Sequence, residues 1–267
     1  MNISILGCGW LGLPLAKNLV EAGQVVKGST TTLDKMARLR EEGITPYQIK
    51  LFTDGVQGDL ESFLSETEVL IIDIPPGLRK DPDADFVGKI GKLKGYLEKS
   101  SVEKVIFISS TSVYEDREDF PVYTEEKEAN VTAENSQQLI AAEEVLRSSD
   151  KFSTTIIRFG GLIGPGRHPI NFLSQKKNNK NAVSPVNLIH LDDCVGIIKS
   201  VLEKGLWDEV INAVYPEHPP KEIYYTRVAE EKNLALPHFD LQHPSKGKVV
   251  ESVKVQQLLG YNFQKEI

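Results

Sequence analysis

The stretch "ISILGCGWLGLPLAKNL" (Ile3–Leu19) decides the fold, because its glycines stand between a short apolar run and a helix-like pattern. Gly7, Gly9 and Gly12 have the GxGxxG spacing directly after a predicted strand and at the start of a predicted helix. In that setting Gly7 permits a tight turn, Gly9 lets a pyrophosphate approach the main chain, and Gly12 lets the helix pack closely on the strand. The helix N-terminus adds N–H groups and partial positive charge. The stretch therefore predicts a dinucleotide site, with a glycine-rich turn that binds no ligand as the alternative.

Outside this loop, short apolar runs alternate with helical patterns, which is typical of a parallel sheet with crossover helices. Strands are predicted at residues 3–6, 25–28, 69–74, 105–109, 154–158 and 210–213. Apolar residues at helical spacing predict helices within 11–19, 36–39, 90–97 and 139–146. The sequence therefore predicts an α/β protein with a Rossmann-type doubly wound parallel sheet and a small C-terminal substrate lobe.

The alternation is interrupted twice, and the interruptions predict the domain organisation. Pro, Asn and Lys dominate from Gly164 to Asn187, and three prolines follow Tyr215. We expect a dinucleotide-binding domain over residues 1–165, completed by about 187–215. Residues 166–186 and 216–267 would form a small substrate-binding lobe at the carboxyl edge of the sheet.

Composition excludes several classes of partner. The chain has 267 residues, 40% of them hydrophobic, and a net charge of −7, so it can bury a large core but presents little cationic surface to nucleic acid. No stretch approaches the roughly 20 apolar residues of a membrane span, and a strand is predicted without a preceding basic leader. Cys8 and Cys194 lack neighbours at metal-ligand spacing. We therefore expect a cytoplasmic protein with a small-molecule substrate and no metal, membrane or nucleic-acid partner; its oligomeric state is not predicted.

The end of the second predicted strand bears on the choice of cofactor. An acidic residue there would bind the adenosine ribose in an NAD site, but the chain reads Ser29–Thr32, with Lys35 and Arg38 beyond it. Hydroxyls and cations favour a 2′-phosphate, so NADP is predicted. NAD is the alternative, because Asp34 could reach the ribose; we expect Asp34 instead in the first turn of a helix behind a threonine cap. The predicted cofactor contacts are Gly7, Cys8, Gly9, Trp10, Leu11, Gly12, Ser29, Thr30, Thr31, Lys35, Ile74, Pro75 and Ser109.

Further motifs give the chain a family resemblance. They are "EVLIIDIPPG" (68–77), "VIFISSTSVYED" (105–116), "IIRFGGLIGPGR" (156–167) and "VNLIHLDDCVGII" (186–198). Over almost its whole length the chain resembles the extended short-chain dehydrogenase/reductase superfamily, in its small atypical branch of NAD(P)-dependent epimerase/dehydratase-like proteins. The resemblance implies that Ser110 is the upstream catalytic serine of that family, followed by the Val113–Tyr114 pair.

The chain departs from the family at the Tyr-x-x-x-Lys pair that carries its proton chemistry. In the helix "NSQQLIAAEEVL" (135–146), Asn135 takes the tyrosine position and Leu139 the lysine position. Tyr123 and Lys127 have the right spacing but lie only 13 residues after Ser110, in a Glu-rich stretch, and we interpret them as a coincidental match. Gly161 replaces the asparagine that many sugar-nucleotide members carry, so a nucleotide-sugar substrate is not implied.

Another proton donor would then be needed, and few side chains are suited to the role. Ser110 can hydrogen-bond a substrate oxygen but is too weakly acidic to supply a proton alone. Tyr114 or His168 could supply it, and Arg167 could hold an anionic substrate. Alternatively, Tyr114 is a wall residue and Arg167 and His168 form a surface loop.

Two other residues near these motifs are interpreted as structural. We expect His190 to be hydrogen-bonded at a helix start and Arg158 to brace a strand end.

Two functions of different classes remain open. The first is an NAD(P)-dependent oxidoreductase or epimerase/dehydratase-like enzyme acting on a small, anionic or neutral substrate, with Ser110, Tyr114 and His168 as catalytic candidates. The second is a non-catalytic NADP(H)-binding sensor that a partner protein reads. The missing Tyr/Lys pair favours the sensor, and the retained Ser110, Tyr114 and Arg167–His168 favour the enzyme.

Overall fold

The computed structural model describes residues 1–78, 81 and 83–267 of the chain. Its strands are β1 (Asn2–Leu6), β2 (Val25–Thr30), β3 (Thr45–Gln48), β4 (Lys50–Leu51), β5 (Val56–Gln57), β6 (Val69–Ile72), β7 (Lys104–Ser110), β8 (Val122–Tyr123), β9 (Ser153–Phe159), β10 (Gly161–Ile163), β11 (Leu188–His190), β12 (Val210–Ala213) and β13 (Val249–Val250). Its helices are α1 (Gly12–Glu21), α2 (Asp34–Glu41), α3 (Leu60–Leu64), α4 (Phe86–Leu97), α5 (Glu134–Arg147), α6 (Ile170–Leu173), α7 (Leu191–Lys204), α8 (Lys221–Glu231) and α9 (Val253–Gln257).

In the described part of the chain, the central element is a seven-stranded parallel sheet in the order β12-β9-β7-β6-β1-β2-β3. Strand β1 lies between β2 and β6, so the chain winds outward in opposite directions from it. Ligands of open α/β sheets bind in the crevice at this switch point, beyond the carboxyl ends of the strands. The predicted fold class is confirmed, and the ends of the predicted strands differ from the observed ones by at most two residues.

Strand β3 was not predicted, and its composition explains why. It reads Thr45-Pro46-Tyr47-Gln48 and pairs only with β2, at the edge of the sheet. Proline cannot donate to a ladder and is therefore confined to edge strands, where a free side needs no partner. A polar segment containing proline gives neither the alternation nor the apolar run by which strands are recognised.

The predicted helical stripes are the buried faces of the helices that cover the sheet. Leu15 and Leu19 of α1 are buried, as are the stripes of α4 (Ile90, Leu93, Leu97) and α5 (Leu139, Ala142, Leu146). Truncating one such leucine to alanine costs about 2–5 kcal/mol, because burial is lost and a cavity remains. In the described residues, no helix is both long and apolar enough to cross a membrane.

The chain divides into two compact units. The first comprises residues 1–110, 133–157 and 198–210, and it contains the glycine loop. The second comprises residues 111–132, 158–197 and 211–267. The lobe predicted at 166–186 and 216–267 lies within the second unit. That unit also takes in residues 111–132, 158–165, 187–197 and 211–215 from the range predicted as dinucleotide-binding.

The Ile-His-x-Asp-Asp motif (residues 189–193) supplies two structural side chains of the second unit, His190 and Asp193. The Nδ1 atom of His190 accepts from the backbone N–H of Asp192 at 3.2 Å, as expected for a structural histidine at a helix start. Asp193 is fully buried and accepts from the Tyr261 hydroxyl at 2.9 Å and from the backbone N–H of Gln264 at 2.7 Å. This carboxylate therefore fixes the C-terminal segment of the chain.

Candidate functional site

The three glycines of the loop after β1 face three different surroundings. Gly7 has φ +110°, and a Cβ there would meet the Asp73 carbonyl oxygen at 2.2 Å. A Cβ on Gly12 would meet the Gly7 carbonyl oxygen at 2.2 Å. A Cβ on Gly9 would have no atom within 4 Å. The outer glycines thus allow the turn and the close packing, whereas the middle one borders open space where a ligand can approach the backbone.

Backbone and side-chain hydrogen bonds from β2 hold the loop in place. The Cys8 N–H donates to the Ser29 carbonyl oxygen at 2.8 Å, and the Gly7 N–H donates to Ser29 Oγ at 2.9 Å. Ser29 is 2% exposed, and its hydroxyl helps to position the loop. At the start of α1, the N-cap residue Leu11 gives no side-chain hydrogen bond. The first turn therefore has no side-chain cap competing with an anion.

A cleft of about 320 Å³ opens beside this loop, entirely within the first unit. Its lining includes the predicted contacts Gly7, Cys8, Gly9, Ser29, Thr30, Thr31, Lys35, Ile74 and Pro75. Sequence reasoning missed Leu6, Ile49, Lys50, Leu51, Asp73, Phe86 and Lys89. Of the other predicted contacts, Trp10, Leu11 and Gly12 continue the loop into α1 without lining the cleft.

A larger groove of about 680 Å³ lies elsewhere in the first unit. Residues of α3, the second half of α4 and the segment before β7 line it, including Glu61, Tyr96 and Ser101. It therefore opens toward the amino end of β7 and contains none of the glycine loop. We place the candidate site in the smaller cleft, because that cleft lies at the switch point of the sheet and contains Gly9.

The cleft carries more cations than anions among its described lining residues. Lys35 and Lys50 line it near the end of β2, Lys89 reaches it from α4, and Asp73 follows β6. Burial raises the pKa of the Cys8 thiol to about 12, with a further contribution from the Asp73 carboxylate. The thiol is therefore neutral at pH 7 and adds no charge to the cleft.

The structure corrects one expectation at the β2–α2 turn. Asp34 is in the first turn of α2 as expected, but the N-cap residue is Leu33 and no threonine caps the helix. The Thr30 hydroxyl instead accepts from the Thr32 N–H at 3.3 Å. Thr31 and Lys35 are exposed and line the cleft, whereas Asp34 is not among its lining residues.

The two serines that end β7 differ in their surroundings. The Ser109 hydroxyl donates to the carboxylate of Glu143 on α5, and both residues are buried. Ser109 thus ties the end of the strand to a helix. Ser110, the last residue of β7, is only partly buried.

Tyr114 lies in a buried polar cluster of the second unit. It is 1% exposed, and its hydroxyl accepts from Arg158 Nη1 at 2.9 Å and donates to Asn212 Oδ1 at 3.0 Å. Its ring stacks on Tyr123 with centroids 4.7 Å apart, and the Arg158 guanidinium lies 5.2 Å from the ring centroid. These contacts fit a structural role for Tyr114 and for Arg158, which braces the end of β9 as expected.

His168 is likewise held inside the second unit. Its Nδ1 accepts from the Ile170 N–H at 3.1 Å, so the proton of the neutral ring is on Nε2, which donates to the Tyr224 hydroxyl at 3.1 Å. Burial, aided by the charge of Lys232, lowers the pKa of His168 to about 4. At pH 7 the ring is neutral and has no imidazolium proton to give. Arg167, beside it, is exposed, and its backbone pairs with Gly164 in a turn.

Each of the two residue pairs considered for the acid/base positions from sequence has one exposed and one buried member. On α5, Asn135 is exposed and Leu139 is 5% exposed among packed apolar side chains. Tyr123 is buried, and its hydroxyl donates to the Glu115 carbonyl oxygen at 3.2 Å, whereas Lys127 is exposed.

Gly161 begins β10, against β11. A Cβ there would meet Leu188 Cδ2 at 2.7 Å, and the Gly161 N–H donates to the Asn187 carbonyl oxygen at 2.7 Å. A side chain at position 161 would therefore require the Leu188 side chain to shift.

Comparison with known proteins agrees with this geometry. Residues 7–187, more than half of the chain, match the NAD(P)H-binding family. Protein YeeZ of Escherichia coli (strain K12) is 31% identical over 266 residues, which cover 98% of this chain and 96% of that protein.

Solved structures share the fold at lower sequence identity. UDP-glucuronic acid 4-epimerase from Bacillus cereus, in complex with NAD, is 18% identical with a TM-score of 0.80, over 100% of this chain and 92% of that one. A functionally unknown conserved protein from Silicibacter pomeroyi is 19% identical with a TM-score of 0.73, over 99% of this chain and 94% of that one. At these identities the likeness shows the fold alone.

Proposed function

The chain belongs to the NAD(P)H-binding family, with the fold of the NAD-dependent epimerases of the extended short-chain dehydrogenase/reductase superfamily, and we propose that it is an NADP(H)-dependent enzyme for a small substrate. Its reaction would be of the oxidoreductase or epimerase/dehydratase-like type. The observation that carries the proposal is the cleft at Gly9, where the backbone borders open space at the uncapped start of α1. A pyrophosphate fits such a site, because main-chain N–H groups and the helix N-terminus both favour an anion.

NADP is the proposed cofactor in preference to NAD. The exposed Thr31 and Lys35 line the cleft where β2 ends, and no carboxylate from α2 is among its described lining residues. A 2′-phosphate is favoured by such groups, whereas an NAD site places an acidic residue there to accept from the ribose hydroxyls.

The chain's own residues would bind and orient the reactants. When bound, the cofactor supplies a hydride acceptor or donor. Ser110, at the carboxyl end of β7, would donate a hydrogen bond to a substrate oxygen, and the exposed Arg167 would hold an anionic group. We propose that the usual Tyr-x-x-x-Lys pair is missing and that Asn135 and Leu139 stand in its place. UDP-sugars, which several structural neighbours bind, are not proposed as substrates, because Gly161 aligns with the asparagine of many sugar-nucleotide members of the superfamily.

A non-catalytic NADP(H) sensor is the second candidate, and one observation favours it. Both side chains that could replace the missing acid, Tyr114 and His168, are engaged in hydrogen bonds within the second unit. In a sensor the cofactor site would be kept and turnover would be absent.

A search for turnover by the wild type separates the two candidates, and Ser110→Ala then tests the catalytic role of the serine. Oxidation of NADPH is followed at 340 nm with a panel of small carbonyl compounds. If a substrate is found, we expect Ser110→Ala to lower kcat/KM by about 10-fold or more with NADPH affinity unchanged, because one hydrogen bond to the reacting oxygen is lost. Turnover of a verified substrate at the wild-type rate would contradict the catalytic role of Ser110. Epimerase- or dehydratase-like conversion leaves the cofactor unchanged overall, so the compounds are also analysed by NMR after incubation. Tight NADPH binding with neither NADPH oxidation nor conversion of any compound would favour the sensor.

A further inference from the structure

We propose that Lys50, on the β4–β5 hairpin, is a specificity-determining residue that binds the 2′-phosphate of NADP(H) together with Lys35 of α2. The inference rests on the proposed function and adds a second element to its cofactor site. Lys50 follows the unpredicted strand β3 and was not among the predicted contacts, yet it lines the same cleft as Thr31 and Lys35.

The hairpin is fixed relative to the end of β2. Where it begins, the Ile49 N–H donates to the Thr30 carbonyl oxygen at 3.0 Å, and Gln48 Nε2 donates to the Thr31 carbonyl oxygen at 3.3 Å. Where it ends, Gly58 has φ +105°, and a Cβ there would lie 1.9 Å from the Gln48 carbonyl oxygen. The hairpin thus leaves and rejoins the sheet beside the residues that would contact the adenosine ribose. These backbone contacts place Lys50 near that position.

The positive charge at the end of the cleft near Lys50 favours binding of a dianion such as a 2′-phosphate. Lys50 is exposed, and its ammonium lies 5.0 Å from the centroid of the Phe52 ring, a cation–π contact that restrains the side chain. Among the described lining residues between positions 29 and 51 there are two lysines and no carboxylate. A carboxylate does line the cleft, Asp73, but it comes from the end of β6 beside the glycine loop.

The neighbours of Lys50 suit the rest of an adenosine moiety. Ile49 is buried and Leu51 is partly buried, and both line the cleft on either side of Lys50. Apolar side chains beside a cationic one provide a surface for an aromatic base and a partner for a phosphate. The hairpin would therefore contact the half of the cofactor in which NADP and NAD differ.

Titration calorimetry with NADPH and NADH tests the inference on the variant Lys50→Met. NADPH affinity should fall by about 10-fold or more, the equivalent of one charge-assisted hydrogen bond, whereas NADH affinity should not change. Lys50→Arg should retain most of the NADPH affinity. Lys151→Met removes an equal charge from an exposed position outside the cleft and should change neither affinity. Lys50→Met should likewise lower the affinity for 2′,5′-ADP but not for 5′-AMP, since only the first fragment carries the 2′-phosphate.

Two results for Lys50→Met would contradict the role of Lys50 without contradicting the proposed function. They are an equal loss of NADPH and NADH affinity, and no loss of either affinity. If the wild type binds neither dinucleotide, the proposed function fails and this inference fails with it. A melting temperature equal to that of the wild type shows that Lys50→Met is folded.

Discussion

The sequence predicted functional residues both in the glycine loop and at Tyr114, but the two regions differ in how accessible they are to a ligand. At the loop, Gly9 borders an open cleft with cationic side chains nearby. In the cluster, the Tyr114 hydroxyl is buried between Arg158 and Asn212. A phosphate site is built from backbone N–H groups and local conformation, so a short motif predicts it. An acid/base site depends on which side chains tertiary packing leaves accessible, and a short motif does not contain that information.

The largest expected effect is at Gly9, and it tests the first half of this comparison. Gly9→Val should abolish NADPH binding, a loss of about 100-fold or more by calorimetry, because the added side chain would fill the open space in which we propose that the pyrophosphate binds. Its melting temperature should stay near that of the wild type, since no atom lies within 4 Å of the new Cβ.

Two matched glycine variants serve as controls. Gly91→Val on α4 also points into open space, away from the cleft, and should leave binding intact. Gly12→Ala should instead destabilise the fold, because its Cβ would overlap the Gly7 carbonyl oxygen. Equal NADPH affinity in Gly9→Val and the wild type would show that the cofactor binds elsewhere.

Tyr114→Phe tests the other half of the comparison. Removing the hydroxyl takes an acceptor from Arg158 and a donor from Asn212, so we expect a loss of about 1–3 kcal/mol in the free energy of unfolding, measured with urea. kcat for a verified substrate should change little. A decrease in kcat of about 100-fold at unchanged stability would identify Tyr114 as the missing acid and overturn the structural assignment.

Protonation of His168 is expected to have a smaller, pH-dependent effect on the stability of the fold. Its pKa is about 4 in the folded protein and about 6.5 when unfolded, so the unfolded state takes up a proton first as the pH falls. The stability that this group contributes is complete above pH 6.5 and is lost as the pH falls toward 4. The melting temperature of the wild type should therefore drop by a few degrees more than that of His168→Gln between pH 7 and 4.5. Parallel decreases in the two proteins would contradict the buried, neutral histidine.

The smallest effect is expected at Lys127, part of the Tyr-x-x-x-Lys match that we interpret as coincidental. Lys127 is exposed and Tyr123 is buried, so Lys127→Met should change kcat by less than about twofold. A loss of the size expected for a general acid would show that this segment takes part in catalysis.

Much of the fold was accessible from sequence because local patterns and tertiary structure agree. Apolar runs predicted the central strands, and the helical stripes Ile90/Leu93/Leu97 and Leu139/Ala142/Leu146 are buried as expected. Strand β3 escaped prediction because Pro46 and polar neighbours are tolerated only at a sheet edge, a property of the assembled sheet.

The site was predictable to the extent that the backbone forms it. The three glycines have the geometry their spacing suggested, but Ser29 turns its hydroxyl toward Gly7, an orientation that sequence does not encode locally. No sequence pattern predicted Lys50 as a cofactor contact, because the hairpin that carries it follows β3, a strand that was not predicted. Only the strand order, in which β3 lies next to β2, shows that a lysine just beyond β3 lies near the end of β2.

A crystal structure of the wild type grown with NADPH would test the central claim most directly. We predict density for the pyrophosphate against Gly9 at the start of α1, with the 2′-phosphate beside Lys35 and Lys50. A dinucleotide bound in the larger groove lined by Glu61 and Tyr96, or with its pyrophosphate away from Gly9, would contradict the assignment of the cofactor site.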